Sequence, residues 1–140
     1  MRYLRNFRKN KSGAAAVEFA IVAPVFILLV MTLVAYGIYL TVAHSIQQMA
    51  ADAARTAVAG VTETEREQLV QNYVTTSSMN QAFISRDKLQ VTVAQDPTNA
   101  NQFTVSLEYD ASSLPIWDLY SFAVPSKTIK RATTIRMGGI

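Results

Sequence analysis

Hydrophobic positions follow three different rhythms along this chain. In residues 19–43, FAIVAPVFILLVMTLVAYGIYLTVA, they are continuous: there is no charged side chain, and only Pro24 and Gly37 break the apolar character. That run exceeds the ~20 residues a helix needs to cross the core of a bilayer. After Ala43 the rhythm becomes helical. Ile46, Met49, Ala50, Ala53 and Ala57 recur on one face, while Gln48, Asp52 and Arg55 take the other. The first breaker is Gly60, which reads as a C-cap. The pattern therefore predicts one helix from about Ala14 to Ala59, roughly 70 Å long at 1.5 Å per residue.

A second helix is predicted in VTETEREQLVQNYV. Thr62 and Glu65 have capping-box spacing, Glu63, Glu65 and Glu67 crowd the first turns, and Leu69 and Tyr73, with Val70, supply a buried side. TTSSMN reads as a loop. The rhythm then changes to alternation. Leu89, Val91 and Val93 share one face of KLQVTVAQ, and Phe103, Val105, Leu107 and Tyr109 share one face of QFTVSLEYD. DPTNAN between them is rich in turn formers, so the two strands form a hairpin. KTIKRATTIRM supplies a weaker third strand through Ile129, Thr133 and Ile135. The fold class is α+β: a long N-terminal hydrophobic helix extending into a small head, with a second helix and a three-stranded antiparallel sheet.

Charge divides the chain at Gly13. The 140 residues carry a net charge of +3, yet Arg2, Arg5, Arg8, Lys9 and Lys11 all precede Gly13 with no acid among them. The remainder holds eight Lys and Arg against ten Asp and Glu, a balance of −2. A nucleic-acid surface needs its cations gathered on the folded part, so no nucleic acid is implied. The five positives lie where a positive-inside signal belongs, beside a membrane segment. With no cysteine in the chain, disulfides and thiol chemistry are excluded.

The apolar run admits three readings. A cleaved secretory signal has an apolar region of about 7–15 residues and a small-residue site behind it; the run is longer, although Thr41–Ala43 provides a weak site. A plain single-pass anchor accounts for length and orientation but gives Glu18, at the mouth of the run, no purpose. A carboxylate within the membrane boundary costs up to about 2.5–3.5 kcal/mol, less towards the edge. The third reading is a leader cut on the cytoplasmic side after Gly13. Cleavage there creates an α-amine on Ala14, with an ordinary pKa of about 7.7–8.0. Glu18 then lies four residues on, on the same helix face, able to neutralise that amine or a neighbouring subunit's.

The stretch SGAAAVEFAIVAPVFILLV resembles the N-terminal motif of the TadE-like family, the pseudopilins or minor pilins of the tight-adherence (Tad, Flp) branch of type IV pili. Gly13, Glu18, Phe19 and Pro24 match the family pattern. Phe19 stands where the major Flp pilins usually carry Tyr, and suits the TadE-like group. The resemblance implies a structural protein of the bacterial inner membrane, with a cytoplasmic leader (1–13), a transmembrane helix (14–43) and a periplasmic head (44–140). It implies processing between Gly13 and Ala14 by a prepilin peptidase. It also implies assembly with other pilins and pseudopilins on an inner-membrane platform, priming or capping a pilus used in adherence. The competing reading is an uncleaved single-pass protein presenting a small extracytoplasmic binding domain.

Elsewhere the chemistry is sparse, and no enzyme, cofactor or metal site is expected. His44, the single histidine, has Asp52 as its nearest carboxylate, eight residues away. Asp96, Asn99 and Asn101 have the residue types of a calcium loop but not the EF-hand spacing or its closing Glu. Ser112 and Ser113 lack an accompanying base and read as caps of a short helix. LPIWDLYSFAV has two readings. It caps the core beside the hairpin, or it presents Trp117, Tyr120 and Phe122 to a neighbouring pilin, since Trp and Tyr are favoured at interface centres.

Overall fold

The computed structural model describes residues 11–77, 83–114, 116–117 and 126–138. Helix α1 spans Lys11–Ala57 and α2 spans Glu63–Thr76; strands β1 (Leu89–Gln95), β2 (Gln102–Asp110) and β3 (Thr128–Arg136) follow. Short 3-10 turns, Arg86–Lys88 and Ala111–Ser113, precede β1 and follow β2. The architecture is α+β, as the hydrophobic rhythms predict. Two compact units divide within α1, residues 1–37 and residues 38–140.

The described part of the first unit is helical throughout. Its large apolar side chains point outwards on all sides: Phe19 is 73% exposed, Ile21 65% and Leu33 66%. Mean hydropathy reaches 2.6 in an 18-residue window, none of it buried. Apolar surface on every face is the pattern of a helix solvated by something other than water. By length and composition, this is a helix able to cross a membrane. Pro24 lies inside it; lacking an N–H, it leaves the carbonyl of Ala20 without its helical donor.

The second unit has a core of its own. The sheet is antiparallel in the order β1-β2-β3, with Leu89 opposite Tyr109 and Tyr109 opposite Ile129 at one end. Phe103, Val105, Leu107 and Tyr109 of the central strand are all fully buried, so the period-2 alternation of β2 is realised in full. Ile46, Ala50, Ala53, Ala54 and Ala57 of α1 are equally buried, with Val70 of α2. The outer face of the sheet is polar. Thr104 and Thr134 share a 2.8 Å hydroxyl contact, and Lys130 lies 3.7 Å from Glu108 across the strands. Gln47 Nε2 donates to Thr133 Oγ1 at 3.3 Å, tying α1 to β3.

The capping box of α2 is present as predicted. Thr62 Oγ1 accepts from the Glu65 N–H, and the Glu65 carboxylate accepts from the backbone N–H groups of Val61 (2.8 Å) and Thr62 (3.2 Å). At the other end of α2, the Arg86 guanidinium donates to the carbonyls of Thr75 and Ser77, a cation at the negative pole of the helix. The buried row of α2 differs from the expected one. It is Arg66, Val70 and Val74, whereas Leu69 and Tyr73 are half-buried. Burial, and then the neighbouring Asp52 carboxylate, raise the pKa of the Tyr73 hydroxyl.

Arg66 can be buried because its charge is satisfied by backbone and by an aromatic ring. Nε donates to the carbonyl of Gly60 at 3.1 Å and a terminal nitrogen to that of Val61 at 3.3 Å, and the guanidinium carbon lies 5.2 Å from the centroid of the Phe103 ring. Gly60 is therefore not the left-handed C-cap its position suggests. Helix α1 ends at Ala57 and tightens into i→i+3 bonds through Gly60 N to Ala57 O (3.0 Å); the glycine with a positive φ among the described residues is Gly138. What needs a glycine at 60 is close approach: a Cβ there would lie 2.8 Å from both Cγ and the backbone nitrogen of Arg66.

The hairpin loop is organised by Asp96. Its carboxylate accepts from the hydroxyl (2.6 Å) and N–H (2.7 Å) of Thr98, the N–H of Asn99 (3.1 Å) and the amide of Gln102 (2.9 Å). Its pKa is lowered, chiefly by the Thr98 hydroxyl, and that of Asp110 by the N–H of Ser112; Glu65 is lowered by the Val61 N–H. Ser112 and Ser113 lie inside a 3-10 turn capped by Asp110, and most of the short helix they were expected to cap falls outside the described residues. These three carboxylates have folded pKa values below their ordinary ones of 4.5 and 3.8. The stability they add is present at neutral pH and lost as pH falls through those values towards the lowered ones. The thermal midpoint of the purified chain is therefore expected to be flat from about pH 7 to about pH 5 and to fall below that. Replacing Asp96 and Glu65 by Asn and Gln flattens the acid limb. An unchanged acid limb in the double variant would exclude them as its source.

Candidate functional site

The candidate site is the first two turns of α1. Gly13, Ala14, Glu18 and Phe19 are all helical and exposed, and Pro24 follows five residues after Phe19. Ala14 and Glu18, four residues apart, share a face and are separated by roughly 6 Å along the axis. Glu18 has no hydrogen-bond or ion-pair partner among the described residues. Nothing lies within 4 Å of a Cβ built on Gly13, so no packing contact calls for a glycine there.

The other residues singled out in the sequence lie in the second unit or outside the described residues. Trp117 is half-buried; its indole N–H donates to the Ala111 carbonyl at 2.6 Å, and the Lys127 ammonium lies 5.6 Å from its ring centroid. Leu114 and Ile116 are buried, so the start of LPIWDLYSFAV belongs to the core. Tyr120 and Phe122 lie outside the described residues, as do residues 78–80 of TTSSMN, whose Thr75 and Thr76 belong to α2 rather than to a loop. Among the described residues no group of three or more acidic or histidine side chains could hold a metal ion.

Two features escaped the sequence pattern. One is the Arg66–Gly60 lock; its signal was the i, i+4, i+8 row Arg66, Val70, Val74, in which an arginine keeps company with two valines. The other is a cleft lined by Leu40, Ala43, His44, Gln47 and Arg131, which joins residues far apart in the chain and leaves no trace in local sequence.

Residues 13–55 match the family model for TadE-like protein, the family that the N-terminal motif resembles. The match begins at Gly13 and ends at Arg55, within α1. No curated protein and no solved structure matches the chain.

Proposed function

We propose that this chain is a minor pilin or pseudopilin of a Tad/Flp pilus. It is held in the bacterial inner membrane by α1, cleaved between Gly13 and Ala14 by a prepilin peptidase, and assembled with other pilins to prime or cap the fibre. One observation carries the reading: the family match starts at Gly13, where the Gly13–Ala14–Glu18 spacing opens a helix whose large apolar side chains are exposed on every side.

The residues fit that role in chemical terms. A glycine that no contact requires is explained by a protease subsite that admits only a small side chain. Cleavage turns the Ala14 nitrogen into a cation one helical turn from the Glu18 carboxylate. In a bundle of such helices the same carboxylate reaches the amine of an adjacent subunit, in surroundings where both charges gain from pairing. The basic residues before Gly13 hold the leader in the cytoplasm and the head in the periplasm. Trp117, Tyr120 and Phe122 are the aromatic side chains offered to a neighbouring pilin. The chemistry is structural: recognition, anchoring and packing, with no catalysis.

The mass of the mature chain tests this directly. In cells containing the peptidase, the chain loses residues 1–13; an uncleaved single-pass protein loses nothing, and a secreted one loses residues through about Ala43. Gly13→Glu is expected to give a full-length, membrane-inserted chain, because a charged side chain does not enter a small-residue subsite. Normal trimming of that variant would overturn the leader reading.

A further inference from the structure

Arg131 occupies an unusual position. On β3 it alternates with Ile129 and Thr133 on the helix-facing side of the sheet, yet it is only half-buried. A terminal guanidinium nitrogen donates to the Lys130 carbonyl at 2.8 Å, and among the described residues no carboxylate stands within ion-pair distance of it. Glu108, the nearest acid in register, belongs to the other face, where it meets Lys130. An arginine has five N–H donors in a planar fork suited to phosphate, and here most of them are uncommitted within the fold.

The cleft that Arg131 lines has two kinds of wall. Leu40 and Ala43 are the last turn of the uncharged run, and His44, which is exposed, is the first titratable residue after it. Gln47 is oriented by its bond to Thr133, which leaves its carbonyl oxygen to accept from a ligand hydroxyl. Apolar residues from the end of the run thus stand beside two nitrogen-bearing side chains and an amide. From this juxtaposition we infer that the cleft binds the phosphodiester headgroup of an anionic phospholipid: Arg131 takes the phosphate, His44 and Gln47 the polar headgroup, and the exposed Leu40 the glycerol and first methylenes. Such a bond anchors the head to the bilayer surface at a second point. The inference rests on the reading that the run before His44 crosses the membrane.

The test uses the full-length chain and phosphatidylglycerol as probe. Native mass spectrometry from detergent is expected to retain phosphatidylglycerol in preference to phosphatidylcholine. Arg131→Gln weakens that retention about tenfold, the effect of losing one charge-assisted phosphate contact. Lys130→Gln, on the other face of the sheet, leaves it unchanged. His44→Glu changes an exposed residue and places a like charge opposite the phosphate, so it lowers retention without depending on how Arg131→Gln folds. Equal retention by parent, Arg131→Gln and His44→Glu overturns the site. So does displacement of the lipid by inorganic phosphate at matched concentration, which would assign the cleft to a free anion. Flotation with vesicles separates the two readings: a chain that floats but binds no lipid through Arg131 loses only the headgroup site, whereas a chain that does not float loses the spanning helix and the site together.

Discussion

Glu18→Gln is expected to yield a stable, membrane-inserted chain that does not restore pili to a strain lacking the parent. The substitution keeps shape and removes charge. The helix from Phe19 onwards is apolar enough to insert regardless, and Gln relieves the cost of holding a carboxylate at the membrane edge. On the proposed reading, what disappears is the partner of the Ala14 amine. Breaking a buried charge pair by removing one member costs about 3–5 kcal/mol, roughly two to four orders of magnitude in an association constant. The measurement is complementation, with membrane fractionation as its control. Full piliation at normal protein level would show that Glu18 has no part in assembly, and the uncleaved anchor would be the better account.

Arg66→Ala is expected to destabilise the head markedly. It removes two hydrogen bonds to the turn that joins α1 to α2, strips the Phe103 face of its cation, and leaves the buried Gly60 carbonyl without its donor. Together these are worth about 3 kcal/mol, enough to lower the thermal midpoint of a unit this size by more than ~10 °C. Arg66→Lys rescues little, since an ammonium lacks the fork that reaches both carbonyls. Gly60→Ala strikes the same lock from the other side, because its Cβ would meet the backbone nitrogen of Arg66, which cannot swing away as a side-chain tip could. A melting curve of Arg66→Ala within ~2 °C of the parent would remove Arg66 from this role.

What the sequence disclosed follows from how far each signal reaches along the chain. The strands were legible because alternation is local and the central strand is buried on one face without exception, Phe103 to Tyr109. The capping box was legible because its two halves, Thr62 and Glu65, are three residues apart. In α2 the pattern names Val70, which is buried, but sets Leu69 and Tyr73 beside it in place of Arg66 and Val74. Leu69 and Tyr73 look more hydrophobic than Arg66, and only the folded turn supplies the carbonyls and the ring that make burial of Arg66 tolerable. Gly60 was located correctly as a stop but for a different reason, since a clash with Arg66 is not visible in a C-cap pattern. The N-terminal family motif was legible because Gly13, Glu18 and Pro24 stand within twelve residues of one another, and the family match begins at the first of them. The Arg131 cleft was not, because it exists only once β3 has found α1.

Helix α1 obeys two different tolerances to sequence change. Where its large apolar side chains are exposed, from Val25 to Val34, no packing contact within the chain fixes their shape, so within the fold Leu, Ile, Val and Phe are interchangeable there at little cost. At Ala50, Ala53, Ala54 and Ala57 accessibility is zero and each side chain is a single methyl. Those positions lose almost no rotamer freedom on folding and have no room for a larger group. Drift over generations is therefore expected to blur the letters of the first stretch while preserving its hydropathy, and to leave the four alanines standing. The outward stretch is expected to keep a property, and the inward stretch a volume.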